Sequence, residues 1–296
     1  MNAAADPVAH LKAELGRVSL WSAELRFAGP EAGVAFAREI EGLGFPAVWT
    51  PGGIDGKVLD DIGRLLPVTQ RITFCTGILN LWKIDAAEVG AWWRSLPPEH
   101  QARVLIGVGV SHAPSIGEAY KKPVEAMRAY IQSLLDEGLP RDRLCLAALG
   151  PRMLELSVEL TAGAHPYLVS VEHTAEARRI LGKEPLLAPE LGVILESDPA
   201  RARELGRQAL DNYLRLPNYL NSWRRLGFSE DDIKGSDKLI DALFAWGDVD
   251  ALVARVKAHL DAGADHVCLQ AITGPMMSDL EKSRTIWREM AAALLS

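Results

Sequence analysis

Only three of the 296 residues are cysteine, and no two of them form a C-x-x-C pair. Cys75, Cys145 and Cys268 each sit inside an apolar run. They read as buried, reduced core thiols rather than a disulfide framework or a zinc site, which suits a reducing cytoplasm. No stretch approaches the ~18 consecutive apolar residues that span a bilayer. Residues 1–15 are rich in alanine but interrupted by Asp6, His10, Lys12 and Glu14, and the missing apolar segment argues against a signal peptide. Positive charge is not in surplus: 32 Lys+Arg against 39 Asp+Glu leave a net −7. That balance argues against broad nucleic-acid binding, which depends on neutralising phosphates, yet leaves room for a local basic pocket around an anionic cofactor. Low-complexity segments and linkers are also missing. With 48% hydrophobic and 24% charged residues, the chain has the composition of a soluble globular protein of one large domain or two ordinary ones.

What is present is alternation. Short apolar runs at 17–21, 45–49, 72–76, 104–109, 144–148, 166–170, 191–195 and 266–270 read as eight strands. Longer amphipathic runs between them read as helices, starting near Pro30, Ala86, Glu118, Pro151, Thr174, Ser197 or Asp198, Asp248 and Met277. Gly44, Gly163 and Gly263 each stand shortly before an apolar strand, as a glycine that closes a helix before a short turn does. Eight strand–helix units in about 250 residues predict an α/β protein of the (β/α)8 TIM-barrel type. An open doubly wound sheet is the alternative. The division is an N-terminal extension at 1–15 and a single barrel domain at 16–296. An insertion at about 217–246, after strand seven, interrupts the alternation with short helical pieces.

A barrel places its functional residues just after each strand. Those segments contain Ser22, Thr50–Gly53, Thr76–Asn80, Gly109–Pro114, Leu149–Arg152, Ser170, His173, Thr174, Glu196 and Gln270. They contain no pair of carboxylates, no His/Asp/Glu cluster of metal type and no Walker loop. The run Gly107–His112 lacks the third glycine of a dinucleotide fingerprint. Small residues, backbone amides, hydroxyls and His112 remain, which suits a flat anionic cofactor bringing its own chemistry. Helix N-termini at Gly150–Pro151 and near Thr174 can attract phosphate, with Arg152 and Arg178 as candidate charges; ordinary caps with solvated arginines are the competing reading. His112 suits acid/base work at neutral pH or a purely structural place. His165 and His266 read as structural, and His10, His100 and His259 as exposed. Trp21, Trp49 and Trp82 follow strands and can line an apolar pocket, whereas Trp92, Trp93 and Trp287 read as packing residues.

The runs Gly-Phe-Pro-Ala-Val-Trp at 44–49, Thr-Gly-Ile-Leu-Asn at 76–80 and Gly-Val-Gly-Val-Ser-His-Ala-Pro at 107–114 resemble the luciferase-like monooxygenase superfamily. So do Ala-Ala-Leu-Gly-Pro-Arg-Met at 147–153, His-Pro-Tyr-Leu-Val at 165–169 and Ala-Gly-Ala-Asp-His-Val at 262–267. More narrowly they look like its coenzyme F420-dependent oxidoreductase branch, over about Gly16 to Gly274. The resemblance implies a bacterial luciferase-like barrel with a variable insertion. It implies a cofactor site formed by Thr76, Gly77, Ile78, Asn80, Gly109, Ser111, Leu149, Gly150, Ser170, His173 and Thr174. Gly77–Ile78 matches a non-prolyl cis peptide behind the deazaflavin ring, and Leu149–Gly150 a backbone pair at its phosphate. His112 falls where some relatives carry an active-site acid and is the candidate proton donor. One departure is plain: Thr50-Pro51-Gly52-Gly53 stands where several relatives have an Asp-His pair.

Three functions follow as rivals. The first is an F420-dependent oxidoreductase exchanging a hydride between the deazaflavin C5 and a small organic substrate, without oxygen chemistry. The second is an FMN-dependent luciferase-like monooxygenase. The third is a cofactor-binding relative without catalytic activity, motivated by the altered 50–53 segment. A cytoplasmic homodimer, with no metal, nucleic acid or membrane partner, completes the expectation.

Overall fold

The protein is described by a computed structural model that covers residues 6–53, 55–274 and 279–295. Its strands are β1 (Val18–Trp21), β2 (Ala47–Gly52), β3 (Thr73–Asn80), β4 (Val104–Gly109), β5 (Leu144–Leu146), β6 (Gly163–Ala164), β7 (Leu186–Leu187), β8 (Glu190–Leu195), β9 (Phe244–Gly247) and β10 (Val267–Ala271). All pair in parallel, in the order β7-β6-β5-β4-β3-β2-β1-β10-β8-β9. Parallel strands are covered on both faces, so they read as unbroken apolar runs; every residue of β4 is buried.

The two ends of that order are joined. Only Ala188 and Pro189 separate β7 from β8. The Ala188 amide bonds the Ala164 carbonyl at 2.9 Å and the Glu190 amide bonds that of Pro166 at 2.9 Å. Residues 186–195 therefore form one bent strand, paired with β6 at its start and with β10 further on. The sheet closes into the expected eight-position barrel, with β9 added against the outer half of β8. The open-sheet alternative is excluded.

Inside the ring, Leu11 and Leu15 from the helix Pro7–Leu15 pack with Trp49, Cys75, Leu105, Cys145, Leu186 and Cys268. All three thiols are buried and unpaired. Among the described residues no helix is long and apolar enough to cross a membrane.

Several boundaries differ from the sequence reading. The expected strand at 166–170 is irregular, and β6 lies earlier, at Gly163–Ala164. Leu168 sits in the left-handed region, at φ 53°, with its amide bonded to the Glu190 carboxylate at 3.0 Å. The apolar character of this run comes from packing on the insertion, where Leu168 joins Tyr219, Trp223 and Phe244. The next helix, Val171–Leu181, is capped by Ser170 rather than Thr174. Gly163 is itself a strand residue, whereas Gly44 and Gly263 follow helices with φ of 94° and 106° as expected. Residues 50–52 extend β2, and 77–80 extend β3, instead of forming loops. The helix expected from Glu118 begins at Pro123, and the one expected to reach Leu214 ends at Leu210. The last helix is Leu280–Leu294; its expected start at Met277 lies outside the described residues.

The contact between β3 and β4 leaves no room for a side chain at 107. A Cβ there would collide with the Thr76 carbonyl oxygen and sit 3.3 Å from the Cys145 sulfur. Gly107→Ala is expected to cost about 3 kcal/mol, the upper end for overpacking. Gly53, which has open space around it, should tolerate alanine within about 0.5 kcal/mol. Urea unfolding of both variants checks the contrast, and equal stability would remove the close-packing argument.

Candidate functional site

Counting along the sheet shows how the barrel mouth is shaped. Cys75 pairs with Leu105 and Leu79 with Val108, so β3 spends four steps where β4 spends three. Against β2 the same stretch takes three steps, from Thr76 to Leu79, against two, from Thr50 to Gly52. The extra residue is a bulge, which bends the strand and turns it toward the barrel axis. The Gly77–Ile78 peptide within it is cis. Its Gly77 carbonyl accepts the Trp21 indole N–H at 3.1 Å. A Cβ on Gly77 would come within 2.6 Å of Trp21 Nε1 and 3.2 Å of His165 Nε2.

The expected cofactor residues divide into groups. Gly77, Ile78, Gly109, Ser111 and His112 gather where β3 and β4 end, with Ile78 packed over Gly109 and Ser111 in the left-handed region at φ 55°. Leu149, Gly150, Ser170 and His173 gather at the next two strand ends. There the Leu149 carbonyl accepts His173 Nε2 at 2.9 Å and Arg225 Nη2 at 2.6 Å. Gly150 caps the helix Pro151–Leu160 without a side-chain bond; Pro151 has no N–H and the Met153 amide donates to the Gly150 carbonyl at 3.1 Å, so the Arg152 amide is the first-turn donor left over.

Three of the residues turn elsewhere. The Thr76 hydroxyl donates to the Gly107 carbonyl at 2.7 Å and serves the β3–β4 contact. Asn80 bonds the Gly53 carbonyl at 3.1 Å and accepts the Trp82 amide at 3.0 Å, tying the strand ends together. Thr174 is fully buried in the second turn of its helix, with its hydroxyl 2.9 Å from His259 Nδ1. His259, expected to be exposed, is fully buried too. His173 has committed its Nε2 proton to Leu149, and burial lowers its pKa, so it offers a phosphate no second proton. Arg178 bonds Gly263, Gly182, Pro185 and Asp265 near the far end of its own helix, away from the N-terminus it was expected to serve.

Trp21 takes the pocket-lining place expected of it, whereas Tyr167, Tyr213, Tyr219 and Arg225 were not singled out from the sequence. Rings line one side of the mouth in succession: Trp21, Tyr167, Tyr213 and Tyr219, with centroids 5.7, 5.7 and 5.2 Å apart. The Tyr167 hydroxyl donates to Gln270 Oε1 at 2.8 Å. Tyr213 and Tyr219 come from the region of the insertion, six residues apart around Pro217, and that spacing was the available signal. Arg225 comes from the same region, inside an Arg-Arg pair. Deeper in the barrel Trp49 stacks on His165 at 4.0 Å. His165 follows β6 and belongs to this interior. Burial pushes His165 and His266 down to about 4, so both stay neutral. Among the described residues there is no cluster of three or more metal-ligating side chains.

The fold has known counterparts. An F420-dependent secondary alcohol dehydrogenase in complex with an F420–acetone adduct superposes at TM-score 0.69 and 16% identity, over 94% of this chain and 98% of that one. A coenzyme F420-dependent tetrahydromethanopterin reductase from Methanopyrus kandleri gives 0.70 at 16%, over the same shares of each. The oxygenating constituent of 3,6-diketocamphane monooxygenase from the CAM plasmid of Pseudomonas putida, in complex with FMN, gives 0.63 at 14%, over 93% and 95%. The chain has the luciferase-like barrel fold. No family model matches it, and no curated protein does. Within this luciferase-like barrel, the bulged β3 and the end of β4 form one wall of the mouth, and the tyrosines of the insertion another.

One acid in the barrel stands apart. Glu190 is 1% exposed; one carboxylate oxygen accepts the Leu168 amide and the other has no partner among the described residues. Burial raises its pKa to about 8, which the Leu168 bond only partly opposes. The folded state thus holds a proton that the unfolded chain, at the ordinary 4.5, releases. The stability linked to that proton is fully present below pH 4.5 and is lost as pH rises through 8. Glu190→Gln should therefore gain on the wild type by up to ~1.4 kcal/mol per pH unit between pH 5 and 8. Chemical unfolding of both proteins across that range checks it; a difference that does not change with pH would mean Glu190 is ionised throughout.

Proposed function

We propose that the protein is an oxidoreductase that binds coenzyme F420 across the barrel mouth and exchanges a hydride between it and a small organic substrate. The observation that carries this reading is an uncapped helix end at Gly150, overhung by the Arg225 guanidinium, on the same rim as the inward-turned Gly77–Ile78 segment. Helix amides and a cation are the donors a phosphate needs. Glycines at 77 and 109 admit the Trp21 indole and the Ile78 side chain, which build a wall against which a flat ring can rest. The likeness in fold to two F420-dependent enzymes supports the choice of cofactor. The residues present thus fit a phosphorylated deazaflavin.

When bound, the deazaflavin supplies a carbon that accepts or donates hydride. The chain's part is orientation and proton handling. The Arg152 amide at the start of the helix Pro151–Leu160 would hold the phosphate, together with Arg225, whose Nε is paired with Glu176 at 3.4 Å and whose Nη1, free among the described residues, lies toward Gly150. The Trp21 indole fixes the Gly77 carbonyl and with it the wall behind the ring. Tyr167, Tyr213 and Tyr219 bound the substrate side and limit water there. His112 is the titratable group placed to move a proton. The 50–53 segment contributes no acid or base: the Thr50 hydroxyl donates to the Ser22 carbonyl at 3.2 Å, and the Pro51 carbonyl accepts from Arg26.

A second reading keeps the same seat for FMN and uses oxygen; the likeness to an FMN complex favours it. Titration of the purified protein with F420 and with FMN, followed by ligand fluorescence, separates the two. Micromolar or tighter F420 binding with weak FMN binding is the expected result, and Arg225→Ala should weaken it about ten-fold, the equivalent of one charge-assisted hydrogen bond. Preference for FMN would transfer the protein to the second reading, and binding of neither would remove both.

A further inference from the structure

His112 lies just past β4, half-buried, with Nδ1 3.1 Å from the side-chain oxygen of Asn218. Asn218 is the second residue of the insertion helix Pro217–Arg225. An amide oxygen can only accept, so Nδ1 carries the ring proton and Nε2 keeps its lone pair. Burial lowers the pKa of the ring, and the Asn218 bond opposes this only in part, so the imidazole is neutral near pH 7. No carboxylate or cation contributes to that shift. The titratable group facing the ring is Tyr219, its centroid 5.6 Å away, whose hydroxyl is held well above its usual range by burial. It stays protonated and uncharged.

We propose that Asn218 is a positioning residue that holds His112 as a proton acceptor at Nε2, which directs the site toward substrates bearing an oxidisable hydroxyl group. This rests on the hydride-transfer reading above and reverses the proton-donor role first expected of His112. In the oxidative direction the substrate O–H bond breaks and its proton goes to His112 Nε2. A bound oxidised deazaflavin would supply the acceptor for the hydride and its electron pair from the carbinol carbon, so that the C–O bond becomes a carbonyl. One two-electron oxidation balances one cofactor reduction, and the proton on His112 passes to solvent. Reduction of a carbonyl needs the imidazolium instead, a form that the lowered pKa makes scarce.

The first test uses the protein without cofactor. Two-bond proton–nitrogen NMR of the 15N-labelled full chain reads each histidine tautomer, and the His112 signals are those lost in His112→Gln. At pH 7 the wild type should show a protonated Nδ1 and a bare Nε2. Asn218→Ala should shift the population toward the Nε2–H form, and Asn218→Asp should keep Nδ1–H and raise the ring's pKa. A wild-type ring protonated at Nε2, or one that neither substitution moves, would overturn the proposal.

The second test uses the loaded enzyme with oxidised F420 and a panel of alcohols and activated alkenes. Alcohol turnover should fall about ten-fold in Asn218→Ala, and the acid limb of the kcat/KM profile should move upward in Asn218→Asp. Turnover of the alkenes but not the alcohols would overturn the substrate class. Failure to bind F420, with the tautomer as stated, would strike the cofactor reading alone.

Discussion

The extra residue in β3 is the constraint on which the rest of the mouth depends. A regular parallel strand would point residues 77 and 78 to opposite faces and carry the wall straight up. The bulge instead turns the Gly77–Ile78 segment inward, where the Trp21 indole anchors it. That arrangement demands small neighbours. Gly107 lets β4 close against the Thr76 carbonyl, and Gly109 accepts the Ile78 side chain, whose Cδ1 would lie 2.5 Å from a Cβ there. The glycines of this region are therefore explained first by the protein's own packing. Any ring bound at the mouth rests on a wall that the chain has already built.

Around that wall the barrel assigns different work to chemically similar groups. His165 and His266 lie in the dry interior, stacked or bonded to Trp49, and burial keeps them neutral. His259 and His173 brace helices through Thr174 and Leu149. His112 alone combines a place at the end of β4 with a partner from the insertion. Glu190 shows the same logic for carboxylates. It sits inside the ring without a cation, and its bond to the Leu168 amide holds the left-handed turn by which the chain leaves β6. That departure frees the outer edge of β8 for β9, so one buried acid is tied to both the shape of the barrel and the entry of the insertion.

Much of this was legible in the residues. Alternating apolar and amphipathic runs marked the barrel, because strands covered on both faces must be apolar throughout and helices only on one side. The misread elements fail for physical reasons. The run 166–170 is as apolar as a strand because it packs on Tyr219 and Trp223 rather than on a neighbouring strand. The pairs 163–164 and 186–187 are too short to show a period. Residues 244–247 belong to a strand only because β6 leaves an edge open. Thr174 resembled a cap until Ser170, four residues earlier, proved to hold that position.

The amino-acid order by itself determined the fold class, the succession of strand ends and the collection of small residues and one histidine from which a mouth is made. Those are local properties, set by periodicity, caps and glycine. The tertiary structure decided which polar atoms are already spent and which remain. Thr76, Asn80, Thr174 and His173 are committed to the protein itself, whereas Arg225 and Asn218 reach the site from the insertion, a segment with no local mark of function. The Asn218 bond to His112 spans 106 positions and the Glu190 bond to Leu168 spans 22. Hydrogen bonds of that kind depend on how the barrel closes and where the insertion lies down, and no window of sequence contains both partners in their geometry.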